Sequence, residues 1–283
     1  MNIAAPRSSN PIEVQMTLTP FRYPGAKNKL LPILMEHISK FLKDAYPFCD
    51  AFVGGGSVAL EVAVKYPKSH IYLNDKDYWI YSFWDVVAGA ETSKLPDLLA
   101  LIDQPVTLEF FYKLREENTT DKLRCAYKAI FFNRTTFSGI FKSGPIGGKE
   151  QKSKYTVDCR YNANKLKKKI LACNKLFQGR TSVSNEDIIE FLKTQDTNTT
   201  IYLDPPYYVK GDALYIEKMS PEDHKNLSLV LNKRNNWVLS YDDCREIKQL
   251  YTKNNVIDLS TRYCINGRKD SWESKNELII LPS

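Results

Sequence analysis

The chain has 283 residues, 43% of them hydrophobic and 26% charged, with a formal net charge of +7. That is ordinary globular composition, long enough for one large core or two modest ones. No run approaches the ~18 apolar residues of a membrane span, and prolines and polar groups occupy the first twenty residues, where a signal peptide needs an apolar stretch. A cytosolic protein is expected. Its six cysteines (Cys49, Cys125, Cys159, Cys173, Cys244, Cys264) form no C-x-x-C pair, and no histidine stands at zinc-ligand spacing. They read as reduced structural thiols, and no metal site is expected.

Residues 1–15 read as a flexible tail. KNKLLPILMEHISKFL is apolar at helical spacing, with Pro32 tolerated in its first turn. FCDAFV is a short strand leading into Gly54-Gly55-Gly56, and SVALEVAVKY is a helix stopped by Pro67. HIYLN is a strand ending at Asp75, so the alternation of strand and helix implies a parallel sheet. From residue 91 the rhythm breaks into helices (PDLLALI, TLEFFYKLREE, DKLRCAYKAIFFN) and then a stretch rich in Gly, Ser and Lys. Between Lys142 and Arg180 stand eleven lysines and arginines against Glu150 and Asp158, an excess larger than that of the whole chain. Tyr155, Tyr161 and Phe177 are interleaved with them. The segment includes the amphipathic helix NKLKKKILACNKL, with Leu166, Ile170, Leu171 and Leu176 as its buried stripe. So concentrated a positive charge suits a phosphate backbone.

The alternation then resumes. TTIYLDPPYY is a strand stopped by two prolines, and SPEDHKNLSLVLNK is a helix with Ser220 as N-cap and Pro221 in its first position. NWVLSYDD and NVIDLS are strands separated by a short helix, and RYCI and NELIILP form an antiparallel pair around Asn266-Gly267. The expected fold is an α/β core, residues 16–90 and 181–283, interrupted by a basic, largely helical insert at residues 91–180. Its sheet is mostly parallel, with an antiparallel C-terminal hairpin.

Three constellations carry chemistry. Gly54, Gly56 and Ala59 fit the G-x-G-x-x-G/A turn between strand and helix, and Asp75 ends the next strand, where a carboxylate accepts both hydroxyls of a ribose. The pair speaks for an adenosine-containing ligand and leaves a nicotinamide cofactor open. Asp204-Pro205-Pro206-Tyr207 follows an apolar strand. There the Asp204 carboxylate and the Pro205 carbonyl present two acceptors suited to an exocyclic amine, and Tyr207 a flat face for a base. FRYPGAKNKL sets an aromatic, a tight turn and a lysine before a helix, a pattern suited to capturing an anionic group.

In chain order the motifs resemble those of the Dam-like DNA adenine-N6 methyltransferases of the D12 class, from Phe21 to Leu281. The resemblance implies a Rossmann-like core dependent on S-adenosylmethionine, with a target-recognition insert between the glycine and D-P-P-Y motifs. It implies that Tyr23, Pro24, Gly25, Lys27, Phe52, Gly54, Gly56, Ser57, Asp75, Asp187 and Asp204 hold the cofactor. Asp204, Pro205, Pro206 and Tyr207 are then catalytic. FFNRTTFSGI is similar to the family's N-R-x-x-F/Y-N-G-L segment near DNA, with Ser138 for the usual Asn. Arg22, Asn133, Arg134, Thr135, Phe137, Lys142, Lys149, Lys152, Lys154 and Arg160 are the expected contacts with double-stranded DNA, Arg134 or Arg160 being the base reader. FKSGPIGGKEQKSKYTVDCRYN differs from the hairpin of GATC-specific members, so another target sequence is expected. The expected enzyme is a bacterial or phage monomer that methylates a flipped-out adenine, its functional partner a restriction endonuclease of the same site. Cytosine-N4 methylation is the near alternative. A nicotinamide-dependent oxidoreductase and a non-catalytic DNA-binding protein are the distant ones.

Overall fold

Successive residues along the central strands face two different cores. Phe48, Tyr202, Val238 and Ile279 belong to one apolar cluster, while Cys49, Ile201, Leu203, Leu239 and Ile280 belong to the other. This period of two defines a sheet buried on both faces. In the computed structural model, which describes residues 18–22, 30–208, 219–264 and 272–283, the sheet has seven strands. They are β1 (Phe48–Asp50), β2 (Ile71–Asn74), β3 (Thr181–Ser184), β4 (Thr200–Leu203), β5 (Trp237–Asp242), β6 (Asn255–Cys264) and β7 (Trp272–Leu281). Their order is β3-β2-β1-β4-β5-β7-β6. The first five are parallel, and β7 runs antiparallel to both β5 and β6.

On the first face lie α1 (Leu31–Phe41), α2 (Ser57–Lys65), α3 (Tyr78–Ala88), α4 (Leu95–Ile102), α5 (Leu108–Glu116), α6 (Lys122–Thr135) and α7 (Ala163–Phe177). The second face carries α8 (Ile188–Thr194), α9 (Pro221–Leu231) and α10 (Arg245–Leu250). The caps follow the local chemistry: Asp77 accepts from Trp79 N at 2.8 Å to start α3, and Ser220 with Asp223 forms a capping box on α9. Helices α4 to α7 share one apolar cluster with α1 to α3, and α6 packs along α3.

Some sequence expectations change. NVIDLS and RYC are one continuous strand, β6, whose whole length pairs with β7; the RYCI segment was expected as a separate strand. Leu171, expected in the buried stripe of α7, is 48% exposed, and the stripe is Leu166, Ile170, Cys173 and Phe177. Helix α3 escaped the periodicity reading because it is buried on nearly every side, from Ile80 to Ala88, and shows no polar face. Strand β3, Thr-Ser-Val-Ser, is too short and polar to show alternation. The segment 1–15 lies outside the described residues.

Candidate active site

The chain moves outward through β1, β2 and β3 in one direction and through β4 and β5 in the other, so the sheet switches between β1 and β4. Open α/β sheets bind ligands in the crevice at the carboxyl ends of such strands. Three acids stand there: Asp50 ends β1, Asp75 follows β2 and Asp204 follows β4. Asp75 bridges two backbone donors, accepting from Gly54 N at 2.8 Å and from Asp77 N at 2.9 Å. It thereby ties the glycine turn to the start of α3. Gly54 and Gly56 have φ of 43° and 69°, and a Cβ on Gly56 would come within 2.5 Å of the Trp84 ring. Trp84 also donates Nε1–H to the Gly54 carbonyl at 2.9 Å, so the turn is built on that indole. Ser57 is the first residue of α2, and Phe52 is half-buried on the approach to the turn.

Asp50 was not among the sequence candidates. It is 2% exposed, and among the described residues its Oδ1 has no hydrogen-bond partner. Burial, and after it the neighbouring Asp204, push its carboxyl up to about 8; Asp75 adds to this, and backbone N–H groups of Ala59 and Phe52 oppose it. An acid inside the otherwise apolar run before Gly54 is the signal that could have found it.

Asp204-Pro205-Pro206-Tyr207 is gripped from two neighbouring strands. Ser240 of β5 donates to Asp204 Oδ1 at 2.9 Å. Tyr207, 9% exposed, donates its hydroxyl to Glu277 of β7 at 3.2 Å, and Tyr208 N donates to Asp242 of β5 at 3.1 Å. Asp242 and Glu277 are direct cross-strand partners. Pro205 is buried and Pro206 half-buried, which leaves a stiff turn at the mouth of the crevice. Asp187 caps α8 through Ile189 N at 3.0 Å and pairs with Lys76 at 3.4 Å. Tyr23, Pro24, Gly25 and Lys27 lie outside the described residues.

Residues 19–22 run from the glycine turn to the end of α6. Thr19 donates to the Gly55 carbonyl, Lys169 donates to the Thr19 carbonyl at 3.0 Å and Arg134 to the Pro20 carbonyl. Asn133, fully buried, accepts from Arg22 N at 2.6 Å and donates to the Arg22 carbonyl at 2.7 Å. Thr135, also fully buried, bonds back to the Phe131 carbonyl at 2.8 Å. Asn133, Arg134 and Thr135, expected at DNA, thus make these side-chain bonds within the protein. Burial, then the nearby Arg22, lowers Arg134 to about 10. The reason is geometric, since the last turn of α6 must satisfy the backbone of the segment crossing it.

Phe137 is 64% exposed on a turn whose Ser138 has φ 56°, and Phe137 N donates to the Gly144 carbonyl at 3.0 Å. Lys142, Lys149, Lys152, Lys154 and Arg160 are exposed, Lys152 pairing with Glu150 at 2.6 Å and Arg160 lying 5.8 Å over the Tyr155 ring. Arg22 is half-buried. Among the other cations of the basic run, Lys167 pairs with Asp103 at 2.6 Å, and Arg180 donates to four backbone carbonyls (Ala63, Tyr66, Ser69 and Leu176).

A parallel sheet with a glycine turn, a strand-end acid beside it and a second acid across the switch point defines an α/β enzyme for an adenosine-type ligand. Residues 23–265 match the D12 class N6 adenine-specific DNA methyltransferases, and the chain belongs to that family. It is an adenine-specific DNA methyltransferase with a Rossmann-like core, and its methyl donor is of the S-adenosylmethionine type. The chain is 26% identical over 213 residues to the Type II methyltransferase M.MjaIII of Methanocaldococcus jannaschii, a match covering 68% of this chain and 70% of that one. It is also similar to the structure of precorrin-6y C5,15-methyltransferase from Geobacter metallireducens GS-15. There the TM-score is 0.38 and the identity 8%, over 93% of each chain, too loose an overlay to define a fold. Among the described residues no helix is long and apolar enough to cross a membrane.

Proposed function

We propose that the donor is S-adenosylmethionine itself, seated in the crevice between β1 and β4, and that Asp204 meets the target amine there. The observation that carries this reading is the set of three acids, Asp50, Asp75 and Asp204, at adjacent strand ends. The carboxylates of Asp75 and Asp204 favour a donor bearing positive charge and disfavour the pyrophosphate of a nicotinamide cofactor, while Asp50, held protonated by its burial, adds no charge of its own. Asp75, oriented by the Gly54 and Asp77 N–H groups it accepts, presents a carboxylate of the kind that takes ribose hydroxyls. Phe52, Gly56, Ser57 and Asp187 line the same end of the sheet, and Tyr23, Pro24, Gly25 and Lys27 complete the donor set. When bound, S-adenosylmethionine supplies an electrophilic methyl group on a sulfonium.

The adenine amine is a weak nucleophile because its lone pair is delocalised into the ring. Asp204 and the Pro205 carbonyl accept its two N–H bonds, which favours tetrahedral character at N6 and aims the lone pair at the methyl group. Catalysis then rests on positioning and electrostatics, with no covalent enzyme intermediate. The base leaves the double-stranded DNA to reach this crevice. Tyr207 presents its ring to it, held in place by the hydroxyl bond to Glu277. Phe137, Lys142, Lys149, Lys152, Lys154 and Arg160 of residues 91–180, together with Arg22, form the DNA face, with Arg160 as the base reader and a target other than GATC. The core of 16–90 and 181–283 carries the chemistry. The Type II naming of the archaeal relative supports an endonuclease of the same site as functional partner.

Asp204→Ala tests the reading. It should lower methyl transfer by at least ~10²-fold while duplex binding is retained, read by incorporation of labelled methyl groups and by gel shift. A variant keeping a tenth or more of the wild-type rate overturns the role.

A further inference from the structure

Ser240, in the middle of β5, is fully buried, and the reaction described above gives it no part. Its Oγ lies 2.9 Å from Asp204 Oδ1, 3.0 Å from Tyr202 Oη and 3.4 Å from the Leu203 carbonyl. A hydroxyl has one proton to donate, and an ionised carboxylate can only accept. The charge-assisted bond is the shorter and stronger of the two on offer, so the Ser240 proton goes to Asp204. Tyr202, 2% exposed, in turn donates to Ser240 Oγ. The result is a directed chain from Tyr202 through Ser240 to Asp204, each bond polarising the next. It spans two paired strands, with Tyr202 in register with Val238 and Leu203 with Leu239, and so hangs on the rigid sheet.

We propose that Ser240 is a positioning residue for methyl transfer: its hydroxyl, itself held by Tyr202, sets the plane in which the Asp204 carboxylate receives the target amine. This rests on Asp204 being the group that meets the amine. A carboxylate on a turn can swing about its last side-chain bond, and a misplacement of about 1 Å at a reacting group can cost ~10²-fold in rate. The Ser240 bond also favours the ionised carboxylate, the form able to accept. Among the described residues, titratable groups facing Asp204 include Asp50 from β1 and Tyr241 from β5, with Tyr202 on its own strand.

The experiment compares Ser240→Ala, Ser240→Thr and Tyr202→Phe with wild type and with Asp204→Ala. Single-turnover methyl transfer is measured on a duplex substrate across pH 5 to 9, with S-adenosylmethionine and duplex dissociation constants measured separately. Ser240→Ala is expected to slow transfer about ten-fold with both constants within about two-fold of wild type, and to move the acid limb of the rate profile up by about one pH unit. Ser240→Thr, which keeps the hydroxyl, should recover most of the rate. Tyr202→Phe should produce a smaller loss of the same kind. The proposal is overturned if Ser240→Ala transfers within two-fold of wild type while Asp204→Ala is inactive. It is equally overturned if the loss is matched by weaker donor binding with an unmoved acid limb, or if Ser240→Thr recovers nothing while remaining folded. An active Asp204→Ala removes the assignment of Asp204 itself, and this proposal with it.

Discussion

A carboxyl at the end of β1, Asp50, is almost wholly enclosed, and it has a measurable signature in stability. Its folded-state value of about 8 lies above the ordinary 3.8 because burial, and then Asp204, disfavour its charge. A raised acid holds its proton in the folded protein and loses it in the unfolded chain across this window. Folding is therefore favoured most below the unfolded value, and the advantage is lost as pH rises toward 8. The limiting slope is ~1.4 kcal/mol per pH unit for one proton. Asp50→Asn is expected to flatten this part of the profile, so that denaturant midpoints of variant and wild type converge or cross between pH 5 and 8. Parallel profiles would show that Asp50 titrates as an ordinary surface acid.

Among the elements, the end of α6 is the one that ties the segment at 20–22 to the helical layer. The Asn-Arg pair at 133–134 resembles a DNA-contact motif, yet it clasps residues 20–22 against the protein. Gly139 belongs to the same joint: its φ is 76°, and a Cβ there would come within 2.6 Å of the Arg22 carbonyl. Asn133→Ala leaves a backbone N–H and a carbonyl of Arg22 without their partner. It should lower stability by ~2–4 kcal/mol, whereas Phe137→Ala, at an exposed tip, should stay within ~0.5 kcal/mol. Urea unfolding of the two variants separates these positions, and equal, small losses would return Asn133 to the surface. Phe137→Ala should instead weaken duplex binding.

For the whole molecule, the basic run divides into cations that hold the fold and cations that face solvent. Arg180, Lys167 and Lys169 spend their charge on carbonyls or on Asp103, while Lys149, Lys152 and Lys154 project from the segment after the Phe137 turn. If this segment grips the duplex, the combined Lys149, Lys152 and Lys154→Ala variant should weaken binding to all sequences alike. The salt slope should fall by about one unit for each lysine that contacts a phosphate. Lys167→Ala should leave that slope unchanged. A slope unaltered in the triple variant would place the DNA on another face.

The amino-acid sequence by itself determined the alternation of strands and helices at both ends of the chain, the glycine turn with its acid, the caps of α9 and the order of motifs on which the family rests. These depend on neighbours a few residues apart, where turn geometry, capping and burial period act. Only the tertiary structure decided which polar groups turn inward. Asn133 meets Arg22 across 111 residues, Tyr207 meets Glu277 across 70, and Ser240 meets Asp204 across 36. No local pattern marks such pairs, because a buried donor is satisfied by whatever acceptor the packing of distant strands brings within about 3 Å. Asp50 carries a local mark, an acid within an apolar run, but its burial is decided only when β2 and β4 close on either side of β1.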